Sequence, residues 1–567
     1  MAQEINVMVG GEAGQGVQSA GHLLARALAR WGYHVFADQD YESRVRGGHN
    51  FFRVRAGEAP AGGIKESVDV LIAFNTQSIE LHRSEVAKGG VILYDGEKHK
   101  GLPPDGLVSV PTERLATESA GDRLMENTVA LGAALGLLGY DMKRLAALLR
   151  DTFKGEAAEK NVKAAQAGYD FALKLPPGTC ARKLKALVPV QRLVMSGAEA
   201  MAVGAIAAGC KFMAAYPMTP ATPIMEYFAA HAREHDLVMV PAEDEIAAVN
   251  MTIGAAYGGV RAMTATSGGG FCLMVEGVGL AGMTETPLVV VEGQRPGPAI
   301  GLPTRTEQGD LDFVLHAGFG DFPRAVLAPV TVEESFWAMV KAFNLADKYQ
   351  MPVLVLTDHH LTSSYATVEP FDLSKVSIDR GLLYSGDRPA EYKRHAYTDS
   401  GVSPRAFPGK TQALVVTDSD EHDEAGHLIE DAGTRALMVR KRLRKLAGVT
   451  KEIAPPRLYG RKKADTLLVG WGSTFGALKE ATDTLRKDGG KVSLLHLSEI
   501  WPFPAEEVAD HMSNAQRTYV VESNATGQLA HLIRRETGRQ VDGTILKFDG
   551  RPFTAASIAE AVRKEGC

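Results

Sequence analysis

Short apolar runs, each closed by a glycine- or proline-rich turn and followed by a helical pattern, recur along this chain and confine it to an α/β architecture. Residues 5–9 read as a buried strand, Gly10–Gly16 as the turn after it, and residues 20–31 as an amphipathic helix. Apolar runs at 33–37, 68–74 and 91–95 read as further strands, and 127–138 and 142–153 as closing helices. Strands that alternate with helices imply parallel pairing, because a parallel pair needs a long crossover. The pattern restarts near Leu193, with a helix at 197–208 and strands near 212–217, 261–266, 288–292, 324–328 and 353–357. It restarts again at Thr466, with strands at 466–470, 491–497 and 518–522 and helices at 476–485 and 529–537. The expectation is three doubly wound, Rossmann-like parallel-sheet domains over 1–180, 190–365 and 456–567. An irregular connector is expected at 366–455, where periodicity fades and Pro, Ser, Asp and Tyr accumulate.

A chain of 567 residues has room for such an arrangement at about 150 residues per domain. Its formal charge of −6 lacks the basic excess of a nucleic-acid binder. The four cysteines, Cys180, Cys210, Cys272 and Cys567, form no CxxC pair, so neither a disulfide scaffold nor a metal cluster held by this chain alone is expected. The N-terminus enters an apolar strand with no basic leader, and no apolar stretch is long enough to span a bilayer. A cytoplasmic location is expected.

Several loops carry chemistry-bearing residues. In Gly10–Gly16 the glycines Gly11, Gly14 and Gly16 let backbone amides approach an anion at a helix N-terminus, or simply shape a tight turn. With Asp38 and Asp40 after the next strand, this suggests a dinucleotide fold, but the spacing is GxxGxG and not GxGxxG. Ser43–Asn50 places Arg44 and Arg46 beside a Gly-Gly turn, as a bidentate phosphate clamp or as a solvated hairpin. The octapeptide Tyr216-Pro217-Met218-Thr219-Pro220-Ala221-Thr222-Pro223 follows a strand and is held still by three prolines. Glu243, Asp244 and Glu245 open a helix free of charge over 246–257; Glu245 is either a first-turn acid or a buried proton-exchanging group. Thr264–Gly270, with Thr266, Ser267 and Gly268, Val289–Pro298, with Arg295, and Gly301–Asp310 add three more loops. Such loops converge on one pocket for a sizeable organic ligand if the sheet is doubly wound. The acidic run 418–424 with His427, and the basic run 440–445, read as solvated.

Taken together, these motifs resemble the 2-oxoacid:ferredoxin oxidoreductases, specifically alpha subunits with a gamma domain fused at the N-terminus. The resemblance covers essentially the whole chain. It rests on Gly11–Gly16 and Ser43–Asn50 for the gamma domain (1–180), and on YPMTPAT, EDEIAA, TATSGGG and GLPTRTEQGD for a pyrimidine-side thiamine diphosphate domain (190–365). Gly472-Ser473-Thr474 and Trp501–Pro504 are similar to a transketolase C-terminal domain (456–567).

The resemblance implies that Glu245 hydrogen-bonds a ring nitrogen of the thiamine aminopyrimidine and favours its imino tautomer. It implies that Tyr216, Pro217, Thr266, Ser267 and Gly268 line that side, and that Thr219 and Arg295 meet the 2-oxoacid. Relatives commonly read RGGPSTG where this chain has RPGPAIG from Arg295, so two hydroxyls are missing. No GDG…N segment for the diphosphate is present. The resemblance therefore implies a separate beta subunit that carries the Mg²⁺, the diphosphate half-site and a 4Fe–4S cluster, in a dimer of heterodimers, with no metal ligands on this chain. Coenzyme A would be a substrate, with Gly11, Gly14, Gly16, Arg44 and Arg46 as its contacts, and ferredoxin the electron partner. 2-Oxoglutarate is the implied 2-oxoacid, with pyruvate or branched-chain 2-oxoacids, an NAD-dependent dehydrogenase and a non-catalytic assembly subunit as alternatives.

Overall fold

Residues 4–44, 47–101, 106–386 and 389–565 are described by the computed structural model, in which the apolar runs become interior strands of three sheets. The chain divides into two units, Met1–Met195 with Ser364–Pro370, and Ser196–Ser363 with Phe371–Cys567.

The first unit holds β1 (Glu4–Ala13), β2 (His34–Asp40), β3 (Gly47–Gly57), β4 (Val68–Ala73), β5 (Val86–Tyr94), β6 (Leu107–Ser109), β7 (Leu193–Ser196) and β14 (Tyr365–Val368). Their order is β6-β5-β4-β1-β3-β2-β14-β7. β1, β4, β5 and β6 pair in parallel, as the crossovers require. The sheet departs from a wholly parallel arrangement at β3, which runs antiparallel to both β1 and β2. Residues 41–46 are too few for a helical crossover, so a strand after them can only turn back. The signal was present: Phe52, Val54 and Ala56 are at most 1 % exposed and alternate with Arg53 and Arg55. Asp38 is buried beside Arg53, 3.6 Å away, not presented to a nucleotide.

The helix Glu126–Leu138 is apolar all round because it is buried on every side. Its partner Gly155–Leu173, absent from the sequence expectation, offers a stripe of small residues in place of a greasy face. A Cβ on Gly132 would lie 2.1 Å from the Ala165 carbonyl oxygen, so the two backbones touch and only glycine fits.

In the second unit β8 (Phe212–Ala215), β9 (Val238–Pro241), β10 (Ala262–Thr266), β11 (Leu288–Gln294), β12 (Ala325–Leu327), β13 (Pro352–Asp358) and β18 (Glu499–Trp501) form one sheet, in the order β18-β12-β13-β11-β10-β8-β9. Only the edge strand β18 is antiparallel. A further sheet, β15-β17-β16-β19-β20, comprises β15 (Arg457–Tyr459), β16 (Ala464–Trp471), β17 (Val492–Leu497), β19 (Ala515–Glu522) and β20 (Gly543–Leu546). One apolar core joins both, with Phe271, Val290 and Leu354 in the same cluster as Val469 and Ile533.

Residues 366–455 are less irregular than expected, since they end in helices Ala432–Arg444 and Leu446–Thr450. The basic run there is solvated only in part: Arg440 and Arg444 are exposed, but Lys441, Arg442 and Lys445 are at most 2 % exposed. The acidic run is likewise engaged, with Glu421 accepting both Arg442 guanidinium bonds at 2.8 Å. Among the described cysteines, Cys180 and Cys210 are buried and Cys272 is exposed, all free; Cys567 lies outside the described residues. No described helix is long and apolar enough to cross a membrane.

Candidate active site

Four loops of the second unit meet beyond the C-terminal ends of neighbouring parallel strands, where open α/β sheets place ligands. After β8, the Met218 carbonyl accepts from Ala221 N at 2.8 Å and Thr222 N at 3.2 Å, which folds the proline-rich loop into the start of helix Thr222–His231. Tyr216 and Pro217 are exposed and Thr219 half-buried; Pro220 is buried after a cis Thr219–Pro220 peptide. After β9, Asp244 caps the next helix by accepting from Ala247 N at 2.7 Å. Glu245 follows as the first helical residue, 4 % exposed, and its Oε1 has no hydrogen-bond donor.

After β10, Thr266, Ser267 and Gly268 lead into helix Gly268–Met283. A Cβ at Gly270 would fall 2.4 Å from Glu245 Oε1 and 2.2 Å from Thr266 Oγ1, so Glu245 and Thr266 converge on a place that glycine keeps open. Ser267 Oγ is also buried without a partner. Beyond β11, Arg295 Nη1 donates to the Thr219 carbonyl at 2.8 Å. Thus Thr219, Glu245, Thr266, Ser267, Gly268 and Arg295 belong to one set of adjoining loops. The motif Gly472-Ser473-Thr474 also reaches this sheet, through Ser473 Oγ donating to Asp358 at 2.5 Å.

The residues named in the first unit are arranged differently. Gly14 and Gly16 take positive φ, and Gly16 caps helix Val17–Arg30, while Gly11 packs against Gln15, Val17 and Phe74. Arg44 is exposed and pairs with Glu42 at 2.9 Å. Arg46 lies outside the described residues.

Two acids at the second-unit site escaped the sequence reading. Glu292, 0 % exposed in the apolar strand β11, has neither carboxyl oxygen hydrogen-bonded by an ordinary donor. Burial pushes its carboxyl well above the usual range, and Asp310 and Asp358 push it further. Burial raises Asp310 as well, so the site favours the protonated form of both carboxyls. A lone acid inside a Val-Val-Val strand was the available signal. Above the ordinary carboxyl value of 4.5 the unfolded chain ionises while native Glu292 keeps its proton, so stability falls as pH rises from there. Glu292→Gln removes that loss. Its thermal midpoint by calorimetry is expected to exceed the wild-type value at about pH 8 and to converge with it near about pH 4.

Comparison with known proteins places the chain in a family. Residues 203–441 match the family model described as pyruvate flavodoxin/ferredoxin oxidoreductase, thiamine diphosphate-binding, which defines a thiamine-binding oxidoreductase chain. Residues 6–171 match pyruvate ferredoxin/flavodoxin oxidoreductase, and 464–558 match pyruvate:ferredoxin oxidoreductase core domain II. A 2-oxoacid:ferredoxin oxidoreductase subunit alpha from a Sulfolobus species is 33 % identical, over 98 % of this chain and 96 % of its own length. The 2-oxoglutarate oxidoreductase subunit KorA of Mycobacterium tuberculosis is 28 % identical, over 99 % and 91 %. The 2-oxoglutarate:ferredoxin oxidoreductase of Magnetococcus marinus, solved with 2-oxoglutarate, coenzyme A and succinyl-CoA bound, superposes with a TM-score of 0.93 at 34 % identity, over 99 % of each chain. The chain belongs to the 2-oxoacid:ferredoxin oxidoreductase alpha-subunit family.

Proposed function

We propose that this chain is the alpha subunit, with a gamma domain fused at its N-terminus, of a thiamine diphosphate-dependent oxidoreductase for 2-oxoglutarate. The reaction interconverts 2-oxoglutarate, coenzyme A and oxidised ferredoxin with succinyl-CoA, carbon dioxide and reduced ferredoxin. The observation that carries the reading is Glu245, buried with an Oε1 that lacks a donor, facing the gap kept open by Gly270. The likeness to the Magnetococcus marinus enzyme supports the choice of 2-oxoglutarate.

The residues present fit the aminopyrimidine side of thiamine diphosphate, since a polar ring edge at Glu245 satisfies the unpaired oxygen. Tyr216, Pro217, Thr266, Ser267 and Gly268 would line that side. When bound, the cofactor supplies a thiazolium that takes up the electron pair released by decarboxylation. Glu245 holds the hydrogen-bonded proton at the pyrimidine ring and fixes its tautomer. Arg295, anchored on the Thr219 carbonyl, keeps further donors for the substrate carboxylate, and the Thr219 hydroxyl serves the 2-oxo group. The diphosphate half-site, Mg²⁺ and 4Fe–4S cluster are assigned to a beta subunit, in a cytoplasmic dimer of heterodimers that delivers electrons to ferredoxin.

A panel of 2-oxoacids on the co-expressed two-subunit complex tests this, read as reduction of an artificial one-electron acceptor with and without coenzyme A. 2-Oxoglutarate is expected to exceed pyruvate and branched-chain 2-oxoacids by at least about tenfold in kcat/KM. A faster pyruvate reaction overturns the substrate. Absence of reduction with every 2-oxoacid overturns the enzyme assignment.

A further inference from the structure

The first unit has a switch point of its own. From β1 the chain crosses by helix Val17–Arg30 to β2 on one side, while from β4 it crosses by Thr76–His82 to β5 on the other. β1 and β4 are neighbours, paired through Gly10 and Ala73, so the crevice for a ligand opens beyond their C-terminal ends. At this end of β1, Gly10 brings Ser78 and His49 against the strand: a Cβ there would meet Ser78 at 3.0 Å and His49 Cε1 at 3.8 Å.

His49 is the end of a hydrogen-bonded chain. Glu85 Oε1 lies 2.9 Å from Nδ1 of His82, which is 6 % exposed. His82 Nε2 lies 2.7 Å from His49 Nε2. In the tautomer in which the Glu85 carboxylate takes the single hydrogen of His82 at Nδ1, His82 Nε2 accepts and His49 Nε2 donates. That leaves His49 Nδ1 as a bare acceptor, and it is buried without a partner. Burial, then the neighbouring His82, hold His49 below its ordinary value, which keeps this lone pair available at neutral pH. The charged groups around it are Asp40 at the end of β2, Glu42, itself paired with Arg44 at 2.9 Å, and Glu85. A relay of carboxylate, imidazole and imidazole that ends in an unused lone pair, beside a switch-point crevice, calls for a ligand with a hydrogen to give.

We propose that Glu85, His82 and His49 form a proton relay in which His49 Nδ1 is the general base for a thiol bound in this crevice, the thiol being that of coenzyme A, an identification that rests on the function proposed above. The S–H bond breaks as an N–H bond forms at Nδ1. Sulfur keeps the electron pair and becomes the thiolate, the nucleophilic form. The Nε2 hydrogen of His49 shifts toward His82, and the Glu85 carboxylate balances the positive charge. The proton later leaves from Nδ1 to water. His49 is then a catalytic residue, with His82 and Glu85 as positioning residues. The sequence offered His49 only as a neighbour of Arg44 and Arg46, and gave no sign of its partners 33 and 36 positions away.

The test uses the assembled complex and the pH dependence of kcat/KM for coenzyme A. His49→Ala is expected to lower that parameter by about 100-fold and to abolish its acidic limb. Binding of desulfo-coenzyme A, which lacks the sulfur, should stay within about twofold, because a general base does not contribute to binding a ligand without the thiol. Acceptor reduction by 2-oxoglutarate without coenzyme A should be unchanged, which shows the variant is folded. Glu85→Gln should cost about tenfold and move the acidic limb to lower pH, since removal of an anion disfavours the imidazolium. Unchanged kcat/KM and pH profile in His49→Ala overturn the relay. Loss of desulfo-coenzyme A binding in parallel with activity overturns the general-base role. A wild-type complex that reduces the acceptor but ignores coenzyme A overturns the thiol assignment and the proposed function together, before any substitution is made.

Discussion

Glu245→Gln in the assembled complex is expected to lower kcat by about 10³-fold while thiamine diphosphate stays bound. Glutamine preserves the shape of the side chain, and the helix start is held independently by Asp244, which accepts from Ala247 N at 2.7 Å. The fold should therefore be unaffected. What changes is the charge: the carboxylate favours a protonated ring nitrogen, whereas a neutral amide favours neither tautomer. Thr266 Oγ1 and Gly270 shape the same gap and are untouched, so cofactor content should stay near that of the wild type. Two measurements decide it, turnover with an artificial acceptor and the fluorescence of oxidised thiamine released from the purified complex. Full turnover with full cofactor content would remove Glu245 from catalysis. Loss of the cofactor itself would make it a binding residue only.

The loops around Glu245 were legible in the sequence because each is local: a strand, a rigid or glycine-rich turn, and a helix start within ten residues or so of one another. YPMTPAT, EDEIAA and TATSGGG all lie where that pattern puts them, at the C-terminal ends of β8, β9 and β10. The strand β3 was missed because a Gly-Gly turn flanked by arginines reads as a surface hairpin, although its alternating Phe52, Val54 and Ala56 belong to the interior. Helix Gly155–Leu173 was missed for a related reason: its contact face is alanine and glycine, which carry little hydrophobic signal but permit backbone approach. Charge was the least legible feature. Whether an acid or a base is solvated depends on its partner, and partners lie far apart in sequence. Arg442 and Glu421 are 21 residues apart, whereas Lys441 and Glu285 are 156 apart. Composition along a window therefore labels both runs as solvated surface, and only the fold shows that Lys441, Arg442 and Lys445 are buried and that Glu421 is engaged by Arg442.

Loss of Glu285 should cost the second unit heavily. It is 0 % exposed and takes φ of 52°, a left-handed conformation uncommon for glutamate. Its carboxylate pairs with both Lys441 and Lys445, and His395 Nδ1 lies 3.0 Å from it. Arg394 donates to the Glu285 carbonyl at 2.6 Å and to Gln350 Oε1 at 2.8 Å, which ties residues 394–395 and helix Ala432–Arg444 to the strand β11 that follows. Burial alone would push this carboxyl up, but the two ammonium groups outweigh it and hold it well below the usual range. Removing the acid leaves two buried cations without a counter-charge, so Glu285→Ala is expected to destabilise by about 3–5 kcal/mol, read in the calorimetric transition. Adding Lys445→Met to that background should recover part of the loss, because one uncompensated charge disappears with its alkyl volume kept. The pH dependence has a fixed sign. Stability from ionised Glu285 is fully present above the ordinary value of 4.5 and is lost as pH falls below it toward the lowered native value. Glu285→Ala should lack that acid-side decline. A full decline in the variant, or a loss under about 1 kcal/mol, would show that the lysines find other partners and that the network does not hold these segments together.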